Sequence, residues 1–378
     1  MSNFPRRRVV LCAPGFPSSR DDSDKPFLLS HAMGLVSAGL DVTVVCPSVP
    51  GLASRQTVEG IKIVRKRYAP RRFETLAATG SMYREARGLR SVLVLPMIAA
   101  LILGVVRESR RDNVIALHGH WWVPGGFVAV LAGFCTRTQS VVHLHGSDSV
   151  VVTNFFMRWL IRRVICSATH CLAVSKSLAD WGESVSSRQV LVCAMPVSSR
   201  FSESISAPPS NGPLVAVGRL VWEKGFDVLI EALSRIDAAE RPNVVIIGDG
   251  PEYKKLINQA ERLGVELHMP GFLSPDAVAE WYQKASFVVV PSRREGFGLV
   301  AAEAAMSGRA VIGTRVGGIP DVIRHGVSGF IVEPDDVDGL TNAIQSIDIS
   351  WGSAARENVL HLAADRHSNF LNNIYGVS

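Results

Sequence analysis

Residues 287–304 read FVVVPSRREGFGLVAAEA, and the architecture follows from this stretch. Phe287–Val290 is apolar at every position, as a strand buried on both faces of a sheet must be. Pro291 ends that run, Gly296 and Gly298 mark a turn, and a helical pattern opens at Leu299 and continues to Ser307. Strand, glycine turn and helix form part of a β–α–β unit, the building block of a parallel sheet covered on both sides.

The same alternation recurs in both directions along the chain. Toward the N-terminus it predicts strands at Val9–Cys12, Val42–Cys46, Val114–Leu117, Val141–Leu144 and His170–Val174, with helices such as Phe27–Ala38 and Asn154–Cys166 between them. Around the opening stretch it predicts strands at Leu214–Val217, Val244–Ile247, Leu267–Met269 and Ala310–Ile312. The helices expected there are Phe226–Ile236, Glu252–Leu263 and Ala277–Lys284. The fold class expected is α/β, two Rossmann-like domains facing across a cleft. The expected limits are 1–200 for the first domain and 213–353 for the second. A Ser/Pro-rich linker at 201–212 separates them, and a C-terminal helical segment, 354–378, packs back toward the first domain.

Composition fits that division. A length of 378 residues exceeds one ordinary core, and 47% apolar with 20% charged residues is normal for a globular enzyme. Residues 1–200 hold 25 Lys/Arg against 12 Asp/Glu, whereas 201–378 hold 15 against 22. The first half is therefore expected to meet something anionic. Six cysteines with no CxxC pair read as buried, reduced thiols, and Arg6–Arg8 before a short apolar run reads as a frayed start to the first strand rather than a secretion signal. A cytoplasmic protein is expected. The apolar run Ser91–Val106 is too short for a span of about 20 residues and reads as a buried helix, with membrane-surface attachment as the other reading. Basic residues gather around it: Arg65–Arg67, Arg71, Arg72, Arg84, Arg87, Arg90, Arg110 and Arg111. They read as a solvated surface or as a dock for anionic lipid on the inner face of the membrane. No nucleic-acid motif is visible.

Three segments in the second half each end a strand and open a helix, where open α/β sheets bind ligands. Gly218-Arg219 and Lys224-Gly225 put two cations in one loop, readable as a diphosphate site or as a solvated charge pair with Glu223 or Asp227. Gly248-Asp249-Gly250-Pro251 is a second glycine turn. In the third, Gly296, Phe297, Gly298, Leu299 and Val300 form a turn and helix start whose amides suit phosphate oxygens. Glu295 before it and Glu303 after it could accept sugar and ribose hydroxyls. Gly317-Gly318-Ile319-Pro320 adds another glycine loop. No DxD or His/Asp cluster is read as a divalent-cation site; Asp335, Asp336 and Asp338 come closest and read as an acidic first turn of a helix.

Taken in order, Gly218-Arg219…Lys224-Gly225, Glu295…Glu303 and Gly317-Gly318-Ile319-Pro320 resemble glycosyltransferase family 4, retaining enzymes of the GT-B fold. The resemblance implies that Arg219 and Lys224 bind the diphosphate of a nucleotide-sugar donor, Glu295 the donor sugar and Glu303 the nucleotide ribose. It implies donor contacts from Gly218, Gly250 and the 296–300 turn, with UDP-sugar favoured and no cofactor or metal. In Val141–Asp148 it makes His145 the histidine beside the reacting sugar and puts Asp148 near the acceptor. His143 is read as possible support for His145 from the core. In His118–Gly126, His120 and Trp121 are read either as acceptor contacts or as loop packing. The first loop departs from the family, since a Gly-Gly pair is absent and only Gly15 could serve in part, with Lys25 as an added cation. The expected function is retaining transfer of a sugar to an unidentified acceptor, such as a lipid-linked or other saccharide or a secondary metabolite. The rivals are a nucleotide-sugar epimerase and a non-catalytic sugar-nucleotide-binding protein. A dehydrogenase is disfavoured because no GxGxxG follows the first strand.

Overall fold

The computed structural model describes residues 6–20, 22, 25–77, 88–152, 154–203 and 205–376. The chain forms two compact units: Met1–Pro196 joined by Ala364–Ser378, and Val197–Ala363. The second unit is thus inserted into the first, and the chain passes between them twice. The two passages are paired, with the Val197 N–H donating to the Leu362 carbonyl at 2.9 Å. This division differs from the one read in the sequence. Within the expected linker, Phe201 is buried and its ring lies 5.8 Å from that of Tyr282, so the start of that stretch is part of the second unit's core. The expected single C-terminal segment is split as well. Helix Gly352–Val359 belongs to the second unit, while helix Ala364–Ile374 belongs to the first and packs on helix Pro26–Ser37.

The first unit is built on β1 (Arg8–Cys12), β2 (Asp41–Pro47), β3 (Arg55–Val58), β4 (Ile61–Lys66), β5 (Val114–His120), β6 (Gln139–Leu144), β7 (His170–Ala173) and β8 (Leu191–Val192). They pair in the order β3-β4-β2-β1-β5-β6-β7-β8, all parallel except the β3–β4 hairpin. One face of the sheet packs a core that includes Leu28, Leu35, Leu371 and Tyr375, and the other packs Met97, Leu101, Val128 and Ala132. The second unit has β9 (Leu214–Val217), β10 (Val244–Ile247), β11 (His268–Gly271), β12 (Phe287–Val290), β13 (Ala310–Thr314) and β14 (Gly329–Val332). Their order is β11-β10-β9-β12-β13-β14, all parallel. In both units the chain starts at a central strand, winds outward to one side and then to the other. The reversal lies between β1 and β5 in one and between β9 and β12 in the other, and such switch points open a crevice at the strand ends.

Two surface readings change. Arg65 is buried, with Nη1 donating to Gln56 Oε1 at 2.9 Å, and Arg67 pairs with Glu74 at 3.5 Å. The cause is strand alternation, which turns Arg65 inward from β4 and takes it out of the expected basic patch, while Arg71, Arg72, Arg90, Arg110 and Arg111 are exposed. Arg84 and Arg87 lie outside the described residues. The expected buried helix runs Val94–Ser109 and is buried along one side only, through Met97, Leu101, Gly104 and Val105. With its leading turn it is the one helix among the described residues long and apolar enough to cross a membrane. All six cysteines are free, and Cys135 and Cys166 are exposed rather than buried.

Candidate active site

In the second unit the sequence-predicted donor residues gather at the β9/β12 switch point. Lys224 follows β9 and Glu295 follows β12. Their side chains meet with Lys224 Nζ donating to Glu295 Oε2 at 2.5 Å, both largely shielded from solvent. Neither Glu223 nor Asp227 takes Lys224, contrary to the surface-pair reading. Asp227 instead receives both terminal nitrogens of Arg293 at 2.7 and 2.8 Å, which holds its carboxyl below the usual range. Arg219, in the same loop as Lys224, is exposed. No carboxylate pairs with Arg219 among the described residues. The backbone supports this grouping by close approach. At Gly317 (φ +55°) an added Cβ would stand 2.0 Å from the Glu295 carbonyl oxygen, so the loop after β13 can back the Glu295 turn only without a side chain. The Gly318 N–H then donates to the Gly296 carbonyl at 3.1 Å.

Gly298, at φ +91°, caps helix Leu299–Met306, which has no side-chain cap, so the first amides at Leu299 and Val300 are unclaimed by a cap. Glu295 Oε1 accepts its neighbour's N–H, from Gly296, at 3.2 Å. Glu303 lies one turn into this helix, and burial pushes its carboxyl up to about 8, partly offset by Arg200. Gly218 is wedged between Phe226 and Lys224. Two of the expected donor positions also have packing roles. The Phe297 side chain is buried, leaving only its backbone to the site. Gly250 is packed so closely that a Cβ would lie 2.4 Å from the Leu220 carbonyl, and it braces the β10 turn on the β9 turn. In the acidic run, Asp336 caps a helix, its Oδ1 accepting the Gly339 N–H at 2.8 Å, and Asp338 stands in the first turn, whereas Asp335 precedes the helix.

What the sequence did not reveal is the clamp made by Arg293. Besides Asp227 it donates to Asp335 Oδ1 at 2.6 Å and to the Trp222 carbonyl at 2.9 Å, and its guanidinium stacks 4.8 Å above the Trp222 ring. The Arg293-Arg294 pair was visible in the sequence, but its partners lie up to 71 residues away.

In the first unit, His145 and His120 end adjacent strands and His120 Nδ1 lies 3.1 Å from His145 Nε2. Trp121 stacks on His145 at 4.3 Å, and its Nε1–H donates to Ser147 Oγ at 2.9 Å. Gly15 is buried in the loop past β1 at this same strand-end edge. Two acceptor candidates are corrected. His120 is 1% exposed, against 5% for His145, and its Nδ1 is taken up by His145. Asp148 is buried too, and its Oδ2 accepts the backbone N–H of His145 at 2.8 Å and of Trp122 at 3.3 Å. It fixes the turn that holds His145. Support for His145 thus comes from His120 through a nitrogen contact and from His143, as read, through ring packing at 5.2 Å.

Behind this pair the structure assembles a histidine cluster from distant segments. His143 Nε2–H donates to the Cys193 carbonyl at 2.7 Å, so its Nδ1 must accept from His118 Nε2–H at 3.2 Å. His118 Nδ1 then accepts from the Tyr375 hydroxyl at 2.6 Å. His367 donates to the Ala194 carbonyl, which leaves its Nε2 to accept from His31 Nδ1–H at 2.9 Å. Burial lowers every member: His143 to about 4, His367 to about 3, and His31, His118, His120 and His145 well below the ordinary value. His145 is therefore a neutral imidazole. The sets His31–His118–His120 and His120–His143–His145 each bring three ring nitrogens within 4.8 Å of one another. Hydrogen bonds already occupy both nitrogens of His118 and His143, while His31 Nε2 and His120 Nε2 are buried without a hydrogen-bond partner among the described residues.

Comparison with known proteins agrees with the geometry. Residues 26–197 match the glycosyl transferase 4-like domain, and residues 200–356 match glycosyl transferases group 1. An uncharacterised glycosyltransferase of Methanocaldococcus jannaschii is 30% identical over 62% of this chain, which spans 65% of that relative's length. The N-acetyl-alpha-D-glucosaminyl L-malate synthase of Bacillus anthracis is 28% identical over 70% of this chain and 74% of its own. The solved structure of Anabaena HepE in complex with UDP superposes with a TM-score of 0.74 at 18% identity, covering 98% of this chain and 100% of that one. Two doubly wound parallel sheets, a Lys–Glu pair at the second switch point and two family matches that together run through most of the sequence identify the chain as a member of the family 4, group 1 glycosyltransferases of the GT-B fold.

Proposed function

We propose that the protein transfers a sugar, with retention of anomeric configuration, from a nucleotide-diphosphate sugar to an acceptor. The observation that carries this reading is the convergence of Lys224, Glu295 and the Leu299 helix start at the β9/β12 switch point. Cleavage of the bond from the anomeric carbon to the diphosphate leaves negative charge on phosphate and positive charge on the ring. Arg219, Lys224 and the amides of Leu299 and Val300 take up the phosphate charge, and preorganised donors of this kind are each worth about 3 kcal/mol in a dry site. Glu295 moves from Lys224 to the sugar hydroxyls, and Glu303 engages the ribose. His145, neutral and held through Nε2, offers its other ring nitrogen to a hydroxyl of the reacting sugar.

A UDP-sugar is the favoured donor. The HepE structures contain UDP and UDP-glucose, and the Bacillus anthracis relative is named for N-acetylglucosaminyl transfer, so a hexose or N-acetylhexosamine fits the reading. The acceptor class is a saccharide, lipid-linked or free, or a secondary metabolite. A thermal-shift screen against UDP, GDP, ADP and their sugars tests the donor. Saturating UDP-sugar is expected to raise the melting point by several degrees, because ligand at about 100 times its Kd adds about 2.7 kcal/mol. A flat response to all the nucleotides would overturn the donor site, and a response confined to ADP or GDP would overturn the choice of uridine.

A further inference from the structure

Of the eighteen large apolar side chains left exposed among the described residues, eight lie on three helices of the first unit. These helices are Val94–Ser109 with its leading turn, Phe127–Thr136 and Phe155–Ser167. They connect β4 to β5, β5 to β6 and β6 to β7, steps that all run the same way across the sheet. Right-handed crossovers therefore lay all three on one face. Each packs on the next, so their outer sides form one continuous surface.

That surface has the pattern of an interfacial layer. On the first helix the exposed positions Val92, Leu95, Ala99 and Leu103 fall at helical spacing and end at Arg107, opposite the side that closes on the sheet. On the second, Phe134 is 88% exposed beside Leu131. On the third, Ile161, Val164 and Ile165 face inward, while Phe155 (85% exposed) and Trp159 point outward between Arg158, Arg162 and Arg163. The Arg163 guanidinium sits 5.5 Å over the Trp159 ring. Charge is one-sided: from Asp112 to Asp180 the intervening sequence contains a single carboxylate, Asp148, and it is buried.

We propose that this three-helix face docks the protein on an anionic lipid bilayer, lying on the surface rather than crossing it. Crossing would require the 94–109 helix to leave the sheet on which Met97, Leu101 and Val105 are buried. A protein partner would have to desolvate arginines set among aromatics. A headgroup layer accepts both, with rings at the acyl boundary and guanidinium groups on lipid phosphates.

The test is flotation of the full chain with phosphatidylcholine vesicles, with and without about one third phosphatidylglycerol. The expected result is binding to anionic vesicles only, weakened by salt. Phe155→Ser/Trp159→Ser and Arg162→Glu/Arg163→Glu should each lower it by about tenfold or more, while Arg262→Glu on the second unit leaves it unchanged. Phe134→Ser on the neighbouring helix is the second variant should either double variant lose its thermal transition. A fluorophore on exposed Cys135 or Cys166 should brighten with anionic vesicles, as a label entering an apolar layer does. No flotation of the wild-type chain, or equal binding by the variants, would overturn the proposal. So would a dimer in solution that Phe155→Ser/Trp159→Ser dissolves, since the face would then belong to a second copy of the chain.

Discussion

The two units share a winding pattern and differ in what they place at its reversal. At the β9/β12 edge the structure sets charge in partial contact with solvent: Lys224 on Glu295, Arg219 exposed, Arg293 clamped by Asp227 and Asp335. At the β1/β5 edge it sets neutral imidazoles in the dry interior, paired nitrogen to nitrogen as His145–His120, His143–His118 and His31–His367. One topology thus supports opposite electrostatic solutions. On the proposed function, the edge that meets a diphosphate retains fixed charges, whereas the one that addresses an uncharged sugar hydroxyl removes them. In the first unit burial does the removing, because a buried histidine gives up its proton rather than carry charge into low dielectric.

The largest expected effect attacks the charged edge. Arg219→Ala or Lys224→Ala should lower turnover by at least about two orders of magnitude with the fold intact. Near-normal rates in both variants would erase the contrast between the edges. A smaller effect is expected at the neutral edge, where His120→Ala should reduce kcat by about tenfold while leaving the donor KM in place. A change in KM alone would show that His120 shapes binding rather than holding His145. The smallest effect concerns stability. In the fold His143 and His367 titrate near 4 and 3, below the ordinary 6.5, so below pH 6.5 the unfolded chain takes up protons that the native one refuses. Their stabilisation is complete above pH 6.5 and is lost as pH falls toward about 4. The melting point should drop by several degrees across that window, at about 2–4 °C per kcal/mol, and by less in His367→Gln. An unchanged pH profile in that variant would mean the cluster contributes nothing to acid sensitivity.

The charged edge was the more legible of the two in the sequence. Its residues sit in loops bounded by β-branched runs and glycines, so strand ends located Lys224, Glu295 and the Leu299 helix start, and the glycine loop at 317–318 pointed to the same edge. The closing contact between Lys224 and Glu295 spans 71 residues, and spacing could not reveal it. The neutral edge was harder to read, because burial decides what a histidine does there. His120 and Asp148 stand beside the reactive turn in sequence, yet one ends on His145 Nε2 and the other on backbone amides. His31 and His367 carried no signal at all, being 336 residues apart. Strands were legible where apolar residues run continuously. The β3–β4 hairpin, two-residue β8 and β14 were missed because they are short, edge-placed or alternating.

The insertion of one unit into the other has a consequence for synthesis. A ribosome releases residues 197–363 before the helix Ala364–Ile374, yet Leu371 and Tyr375 belong to the core of the unit begun at the other end of the chain. The usual order, in which the N-terminal unit matures first, is therefore inverted. The second unit can be complete while the first still lacks its final helix, and a nascent chain stalled near residue 363 would leave the hydrophobic seat of that helix uncovered.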